Sequence, residues 1–176
     1  MGAGGGSRAS DGLTTARLDL VPLTAGDAED LFRVFDDPAL GQWTGESPPA
    51  DVGALRGRFV AWEAGPPQGS PERWLNWAMR RHADGRAIGH VQATVVGETA
   101  SVAWVVGSAF QGQGFATEAA RAVVAWLRET GIVAIEASIH PGNVASQVVA
   151  SRVGLHPTDR IDDGEVVWSA SVGVDS

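Results

Sequence analysis

The stretch "AFQGQGFATEAAR", residues 109–121, sets two glycines, Gly112 and Gly114, directly before a run of helix-forming residues. Glycine loses more backbone entropy on folding than any other residue, and it is used where a Cβ cannot be tolerated. The first four N–H groups of a helix lack partners within the helix, and the helix dipole adds partial positive charge there. A bare helix start of this kind indicates either an anion site, such as one for a diphosphate, or a plain strand-to-helix connection.

The glycine pattern differs from two common phosphate-binding motifs. No Gly-Lys-Ser/Thr sequence follows Gly114, and the chain contains no lysine, which excludes a Walker loop. The dinucleotide fingerprint G-x-G-x-x-G is not matched either, because Thr117 stands where the third glycine would be. Any anion bound here would therefore be held in another way.

The composition limits the chemistry of the chain. Its 176 residues favour one domain, and the absence of cysteine excludes disulfides, thiolate metal sites and a cysteine nucleophile. All 13 cationic residues are arginine, which excludes a Schiff-base lysine. The net charge of -8 argues against nucleic-acid binding and would attract a cationic ligand, although it equally serves solubility.

Neither a membrane span nor a secretory signal is visible in the sequence. No apolar run approaches the roughly 20 residues that a span needs, and no cationic segment precedes an apolar one at the N-terminus. We therefore expect a cytoplasmic protein with no membrane partner. The four histidines show no H-x-x-x-H spacing, so no metal site is predicted.

The hydrophobic periodicity predicts about seven strands and about four helices in one α/β (α+β) domain, residues 15–176, with a mixed sheet. A Gly/Ser-rich segment, residues 1–14, is expected to be a disordered tail. The predicted strands cover residues 16–23, 73–81, 87–96, 100–107, 132–139, 155–161 and 165–172, and the helices 24–37, 50–64, 113–130 and 143–153. The β-branched run at 132–139 is typical of a strand buried on both faces.

A second motif lies about thirty residues beyond the glycines. The segment "NVASQVVASRVGL", residues 143–155, places Asn143 and Ser146 on the first turn of a helix. Together with "WVVGSAFQGQGFATEAARAVVAWL", residues 104–127, it resembles the GNAT acetyltransferase superfamily. The closest likeness is to the ribosomal-protein N-acetyltransferase branch of RimJ- and RimL-like proteins.

Two further features carry this resemblance. Gln111, Gly114 and Ala116 match the family's motif Gln/Arg-x-x-Gly-x-Gly/Ala. The segment "ARLDLVPLTAGDAEDLFRVFDDP", residues 16–38, is similar to the branch's opening strand and helix. The likeness extends over roughly residues 16–170. It implies a single GNAT-like domain whose mixed central sheet splays apart at "AWVVG", residues 103–107.

The resemblance implies an acyl-CoA site, with acetyl-CoA as co-substrate and no metal. The pantetheine arm would lie against the strand, and the diphosphate would bind N–H groups of residues 111–116. Arg152 would either contact a CoA phosphate or be a solvated helix residue. The implied cofactor-binding residues are Trp104, Val105, Val106, Gln111, Gly112, Gln113, Gly114, Phe115, Ala116, Thr117, Asn143, Ser146 and Arg152.

The catalytic residues follow from the same resemblance. Many acetyltransferases of the superfamily protonate the leaving CoA thiolate with a tyrosine, but this chain contains none. In RimL-like proteins a serine at the position of Ser146 can take that role; otherwise its hydroxyl caps the helix. Candidates for the general base are Glu136, otherwise a salt-bridge residue, and Glu98, otherwise a solvated turn residue. His90 and His140 are further candidates, each more often structural.

The expected function is transfer of an acyl group, most simply acetyl, from acyl-CoA to a primary amine by direct attack. The amine would belong to a small molecule or to a protein N-terminus. One alternative keeps the enzyme class but uses a larger donor such as succinyl-CoA, and another is a non-catalytic acyl-CoA sensor. No nucleic-acid partner is expected. Because relatives often dimerise, a homodimer is a further expectation.

Overall fold

The computed structural model describes residues 12–171. Within them, eight strands and five α-helices follow one another, with short 3-10 turns at Ala25–Asp27 and Ser108–Phe110. The strands are β1 (Leu13–Thr14), β2 (Leu18–Pro22), β3 (Glu72–Arg81), β4 (Ala87–Val96), β5 (Thr99–Val106), β6 (Ala134–Ile139), β7 (His156–Asp162) and β8 (Glu165–Ser171). The helices are α1 (Ala28–Phe35), α2 (Pro38–Thr44), α3 (Val52–Ala64), α4 (Phe115–Glu129) and α5 (Val144–Arg152).

The described strands form one mixed sheet in the order β1-β2-β3-β4-β5-β6-β8-β7. Neighbouring strands are antiparallel except β5 and β6, which run parallel over only Thr99–Ser101 and Ala134–Glu136. On its other side, β5 stays paired with β4 as far as Val106. The sheet therefore splays open between the carboxyl ends of β5 and β6.

Helices pack on both faces of the sheet. On one face, α4 contributes an apolar stripe at helical spacing to a large core that also includes Trp77 and α5 residues. The buried stripe residues of α4 are Phe115, Ala119, Val123 and Leu127. On the other face, α1 and α3 form a smaller core around Leu31, Leu55 and Phe59. Most buried strand residues belong to the larger core, whereas Ala78 of β3 and Ala87 of β4 belong to the smaller one.

The structure confirms the α/β class and the mixed, splayed sheet, with one strand and one helix more than predicted. The extra helix, α2, begins at Pro38, the residue expected to end the preceding helix. Asp37 caps α2 by accepting a hydrogen bond from the N–H of Ala39 at 2.9 Å. Proline is tolerated at the first helical position because its missing N–H is not needed there. Pro38 therefore starts a helix as well as ending one.

The extra strand, β1, overlaps the segment predicted as a disordered tail. Leu13 pairs with Leu20 and Thr14 with Asp19, so the prediction is wrong for these two residues. Residues 1–11 of that segment lie outside the described part of the chain.

Strand β6 was predicted to be buried on both faces, and this prediction is wrong. Ile135, Ala137 and Ile139 are buried, whereas Glu136 is partly exposed and Ser138 is exposed. The sequence hid this alternation because only two polar residues, Glu136 and Ser138, interrupt an otherwise apolar segment.

Between residues 12 and 171, no helix combines the length and the apolar character needed to cross a membrane.

Candidate functional site

The splay between β5 and β6 opens into a cavity of about 500 Å³. The carboxyl end of β5, the Gly-rich loop of residues 111–114 and the first turns of α4 and α5 line it, together with α2. All predicted cofactor-binding residues except Gln113 border this cavity, namely Trp104, Val105, Val106, Gln111, Gly112, Gly114, Phe115, Ala116, Thr117, Asn143, Ser146 and Arg152. Residues that lie far apart in sequence thus share one concave surface.

The Gly-rich loop turns its backbone through two left-handed positions. Gly112 has φ +73° and Gly114, the N-cap of α4, has φ +82°. A side chain at either position would be strained, which explains both glycines. In the described chain, no acceptor is hydrogen-bonded to the backbone N–H groups of residues 112–117. A run of free donors at a helix start is suited to an anion.

Arg17, which lies between β1 and β2, braces this loop from outside the cavity. Its Nη1 donates to the carbonyl oxygen of Gln113 at 2.9 Å, and its Nε donates to Glu118 Oε2 at 2.7 Å. The guanidinium lies 4.3 Å from the centre of the Phe115 ring. Glu118 also accepts from Thr15 Oγ1 at 2.6 Å and from the Arg17 N–H at 2.7 Å.

The carboxylate of Glu118 is held in its charged form by these contacts. Partial burial by itself would raise its pKa, but the hydrogen bonds from Thr15 and Arg17 outweigh burial and lower the pKa below its ordinary value. Glu118 is therefore ionised at neutral pH and forms a salt bridge with Arg17.

Asn143 and Ser146 form the first turn of α5. The side-chain oxygen of Asn143 accepts from the N–H of Ser146 at 3.1 Å, so Asn143 is the N-cap of the helix. The hydroxyl of Ser146 has no hydrogen-bond partner among the described residues. Both side chains border the main cavity. The capping role thus falls to Asn143 and leaves the Ser146 hydroxyl available for other work.

A second, smaller cavity of about 50 Å³ adjoins the first. Trp104, Asn143 and Ser146 border both cavities, so Ser146 lies where the two meet. The small cavity is also lined by Ser138, His140 and Glu165. Its volume suits one or two water molecules, each of which occupies roughly 30 Å³ in the liquid, and its lining offers them polar partners.

Glu165, at the start of β8, is a candidate that the sequence did not single out. Burial raises the pKa of its carboxyl, the nearby His140 lowers it, and the acidic neighbours Asp163 and Asp162 raise it further, with a net rise. A carboxylate with a raised pKa beside a small polar cavity is suited to accept a proton.

His140 borders the same cavity but its ring is already engaged. Its Nδ1 accepts from the N–H of Gly142 at 2.9 Å, so the neutral ring carries its proton on Nε2. The ring also packs against Trp43 of α2, with centroids 5.4 Å apart. Because Nδ1 already accepts a hydrogen bond, only Nε2 of His140 is available for a further contact.

The two acids predicted as general bases lie elsewhere. Glu136 pairs with Arg160, with Oε1 and Nη1 2.5 Å apart, and does not border either cavity. Glu98 is exposed in the turn between β4 and β5, where its carbonyl oxygen accepts from Val133 at 2.9 Å. That turn is at the end of β5 opposite to the cavity. The structure does not bring either acid to Ser146.

His90, a weaker candidate, is buried between helices and sheet. Its Nε2 lies 3.1 Å from Asn76 Oδ1, and its ring stacks on Trp62 with centroids 5.1 Å apart. Burial lowers the pKa of His90 to about 4, so the ring is neutral at pH 7. It does not border either cavity.

The sequence did not predict that the segment after Asp37 forms the helix α2. Ala39, Leu40, Trp43 and Thr44 border the main cavity, although this segment was expected to follow the end of a helix. Asp37 accepts a hydrogen bond from the hydroxyl of Ser108, which ties the start of α2 to the loop after β5. An N-cap aspartate followed by proline was the one available signal for this helix.

The sequence model of the acetyltransferase (GNAT) domain matches residues 17–156. No curated protein matches the chain at a significant level. The matched span contains the Gly-rich loop, Asn143 and Ser146, but ends before Glu165.

Several solved structures share the fold. Mycobacterium smegmatis RimJ in complex with CoA-disulfide aligns with a TM-score of 0.76 and 21% identity, over 92% of this chain and 88% of that one. An acetyltransferase from Agrobacterium tumefaciens aligns with a TM-score of 0.73 and 23% identity, over 97% and 100%. A GNAT-family acetyltransferase from Bacillus anthracis aligns with a TM-score of 0.74 and 18% identity, over 92% and 98%.

Proposed function

Because the chain belongs to the GNAT family of acetyltransferases, we propose that it transfers an acetyl group from acetyl-CoA to a primary amine, as a RimJ/RimL-like member of that family. The observation that carries the proposal is the cavity at the splay of the sheet. Free helix-start N–H groups border one part of it, and the Ser146 hydroxyl borders the part that meets the small polar cavity.

The Gly-rich loop supports diphosphate binding. Residues 112–117 offer consecutive unpartnered N–H groups, and the dipole of α4 favours negative charge at the same place. No cationic side chain of the loop itself contributes, so the backbone does most of the anion binding. Arg152 borders the cavity from α5 and is available for a further phosphate.

The pantetheine arm would follow β5 into the splay. Beyond Ser101, β5 has no β6 partner, so the backbone groups on that side are free to bind the amides of the arm. The path of the arm would run along Trp104, Val105 and Val106 and end near Ser146. A strand N–H at Val105 or Val106 would donate to the oxyanion that forms on the acetyl carbonyl.

The chemical step needs two proton transfers. The amine nitrogen attacks the thioester carbonyl, the N–C bond forms, and the C–S bond breaks. Glu165 takes the proton of the amine, either directly or through water in the small cavity, and the Ser146 hydroxyl gives its proton to the leaving thiolate. The Ser146 oxygen regains a proton from the protonated Glu165 through water in the small cavity, which both residues border, so that one proton passes from the amine to the thiol overall. The raised pKa of Glu165 improves its match to this task.

The acceptor would be a cationic small molecule or a protein N-terminus. The net charge of -8 favours the approach of an amine that is protonated in solution. Glu165 would both attract the ammonium group and remove its proton. The acceptor amine would enter the small cavity, which Glu165 borders, while the main cavity would hold the donor.

The proposal is tested by binding and turnover measured separately. Isothermal titration calorimetry with acetyl-CoA and succinyl-CoA should show binding, with acetyl-CoA preferred in turnover. Release of CoA thiol is then followed with a panel of N-terminal peptides, aminoglycosides, polyamines and amino acids. Tight binding without release across the panel would indicate a non-catalytic sensor, and a lack of binding would refute the proposal.

A further inference from the structure

Arg17 and the Gly-rich loop lie 96 residues apart in sequence and are directly bonded through the Gln113 carbonyl. We propose that Arg17 is a positioning residue, which holds this loop in its anion-binding conformation from outside the cavity. The proposal rests on the proposed function, since it concerns the part of the loop that would bind the CoA diphosphate. Neither Arg17 nor Gln113 borders the cavity, so the effect is indirect.

The bond to Gln113 sets the direction of the next N–H group. In a trans peptide, the carbonyl and the following N–H point to opposite sides of the chain, and the described chain contains no cis peptide bond. The Gln113 carbonyl faces Arg17, so the N–H of Gly114 faces away from Arg17. Gly114 borders the cavity. Arg17 thus turns a donor toward the place where an anion would bind.

The loop needs such a brace because its glycines are conformationally free. Gly112 and Gly114 flank Gln113, both with positive φ, and glycine visits many other conformations at little cost. Ordering them on ligand binding would reduce affinity, whereas a loop that is ordered beforehand avoids that loss. The hydrogen bond from Arg17 to the Gln113 carbonyl restrains the peptide group that joins Gln113 to Gly114.

Arg17 acts by geometry rather than by free charge. Its guanidinium is paired with Glu118, which itself accepts hydrogen bonds from Thr15 and from the Arg17 backbone. The planar guanidinium reaches Glu118 and the Gln113 carbonyl at once, while its face packs on Phe115. A lysine ammonium carries the same charge but lacks this fork.

The test compares Arg17→Met and Arg17→Lys with Arg58→Met. Arg58 is a matched control, because it also bridges a carboxylate, Glu46 at 2.8 Å, and a backbone carbonyl, Ser47 at 3.0 Å, away from the cavity. Calorimetry with CoA should show about tenfold weaker binding for both Arg17 variants. The control should bind CoA as the wild type does.

Two further readouts make each result decisive. Thermal unfolding identifies a loss of fold, and backbone 15N order parameters of residues 112–117 in the CoA-free protein report the mobility of the loop itself. Lower order parameters confined to this loop, with weaker CoA binding in both variants, support the inference. Unchanged CoA affinity in folded Arg17→Met, or full rescue by Arg17→Lys, overturns it. If the wild type itself does not bind CoA, the proposed function fails. If the wild type binds CoA and the Arg17 variants bind it equally well, only the inference about Arg17 fails.

Discussion

Trp43, which borders the main cavity, packs against His140, which borders the small one, with ring centroids 5.4 Å apart and an angle of 51° between the ring planes. Trp43 belongs to α2, and His140 follows β6 directly before the loop into α5. Gly142 lies against both rings, since a Cβ at this position would be 3.2 Å from His140 Nδ1 and 3.5 Å from the indole of Trp43. Helix α2 thereby bridges the N-terminal half of the domain to the first turn of α5.

Trp43→Ala should lower kcat/KM by about tenfold, because the indole would no longer cover its part of the main cavity and water would reach the thioester of bound acetyl-CoA. The same change should raise the hydrolysis of acetyl-CoA in the absence of an acceptor. Both quantities are measured by the release of CoA thiol. Trp43→Phe keeps an aromatic contact with His140 and should retain most of the activity; equal losses in the two variants would contradict an aromatic bridge.

Ser146→Ala should lower kcat by roughly 10- to 100-fold, because the proposed proton donor to the thiolate is removed. The dissociation constant for CoA, measured by calorimetry, should stay within about twofold, since the Asn143 cap and the loop N–H groups remain. Ser151→Ala is the control, as Ser151 is an exposed residue of the same helix that borders neither cavity. Wild-type kinetics in Ser146→Ala would remove the proposed role of its hydroxyl.

Glu165→Gln should reduce kcat by about 100-fold, because an amide cannot accept the proton of the amine. Since the pKa of Glu165 is raised in the folded protein, the carboxylate form opposes folding at neutral pH. The neutral glutamine should therefore leave the melting temperature unchanged or slightly higher. A loss of activity with a lower melting temperature would instead indicate a structural defect.

The pH profile gives an independent check on Glu165. The rate with the wild type should rise with pH through a pKa above the ordinary glutamate value, because the base works only when deprotonated. Asp162 and Asp163 raise the pKa of Glu165, whereas His140 lowers it. Asp162→Asn should accordingly move this rise to lower pH without abolishing activity. A shift to higher pH would show that another group controls the rate.

Ala116→Glu should weaken CoA binding by at least about tenfold, because a carboxylate would stand beside the proposed diphosphate. An acidic residue in the first turn of a helix favours the helix, so α4 should fold normally. Calorimetry and the far-ultraviolet circular dichroism spectrum measure the two effects. Ala109→Glu adds the same charge nearby at an exposed position outside the cavity, and it should bind CoA much more tightly than Ala116→Glu.

His90 should make the fold less stable in acid. Its pKa is lowered to about 4 by burial, whereas an unfolded histidine has a pKa of about 6.5. The unfolded state therefore binds a proton first, and stability that is complete above pH 6.5 falls progressively toward pH 4. Urea unfolding measures the free energy of unfolding at pH 7 and at pH 4.5. The decrease in this free energy from pH 7 to pH 4.5 should be about 2 to 3 kcal/mol smaller in His90→Gln than in the wild type. An equal pH dependence in both proteins would contradict a neutral, buried His90.

Most of the fold could be predicted from local patterns. The turns at Gly85 and Gly97 separate β3, β4 and β5, and the strand-to-helix order follows from changes in hydrophobic period. Helix α2 escaped because Pro38 ends one helix and starts another, and the sequence signal for both events is the same residue. The short β1 escaped because two residues are too few to show a period.

The candidate site was predictable where its residues are close in sequence. The Gly-rich loop and the Asn143–Ser146 turn each form a local motif, and both border the main cavity. The proposed roles of Glu165 and Arg17 could not be predicted in this way, because contacts over long sequence distances bring these two residues near the motifs. Glu165 stands in a turn rich in acids, and nothing local distinguishes it from its neighbours. Glu136 was favoured instead because its strand was expected to be buried.

The early end of the β5–β6 pairing leaves an edge strand in the interior of the domain rather than at its rim. Edge strands are templates for further chains, and proteins usually block or cover them. Here the template is the proposed donor site, so a bound pantetheine arm would complete the sheet as an added strand does. Ligand binding and the repair of the sheet would then be the same event, and the ligand-free domain would carry its weakest backbone where its substrate enters.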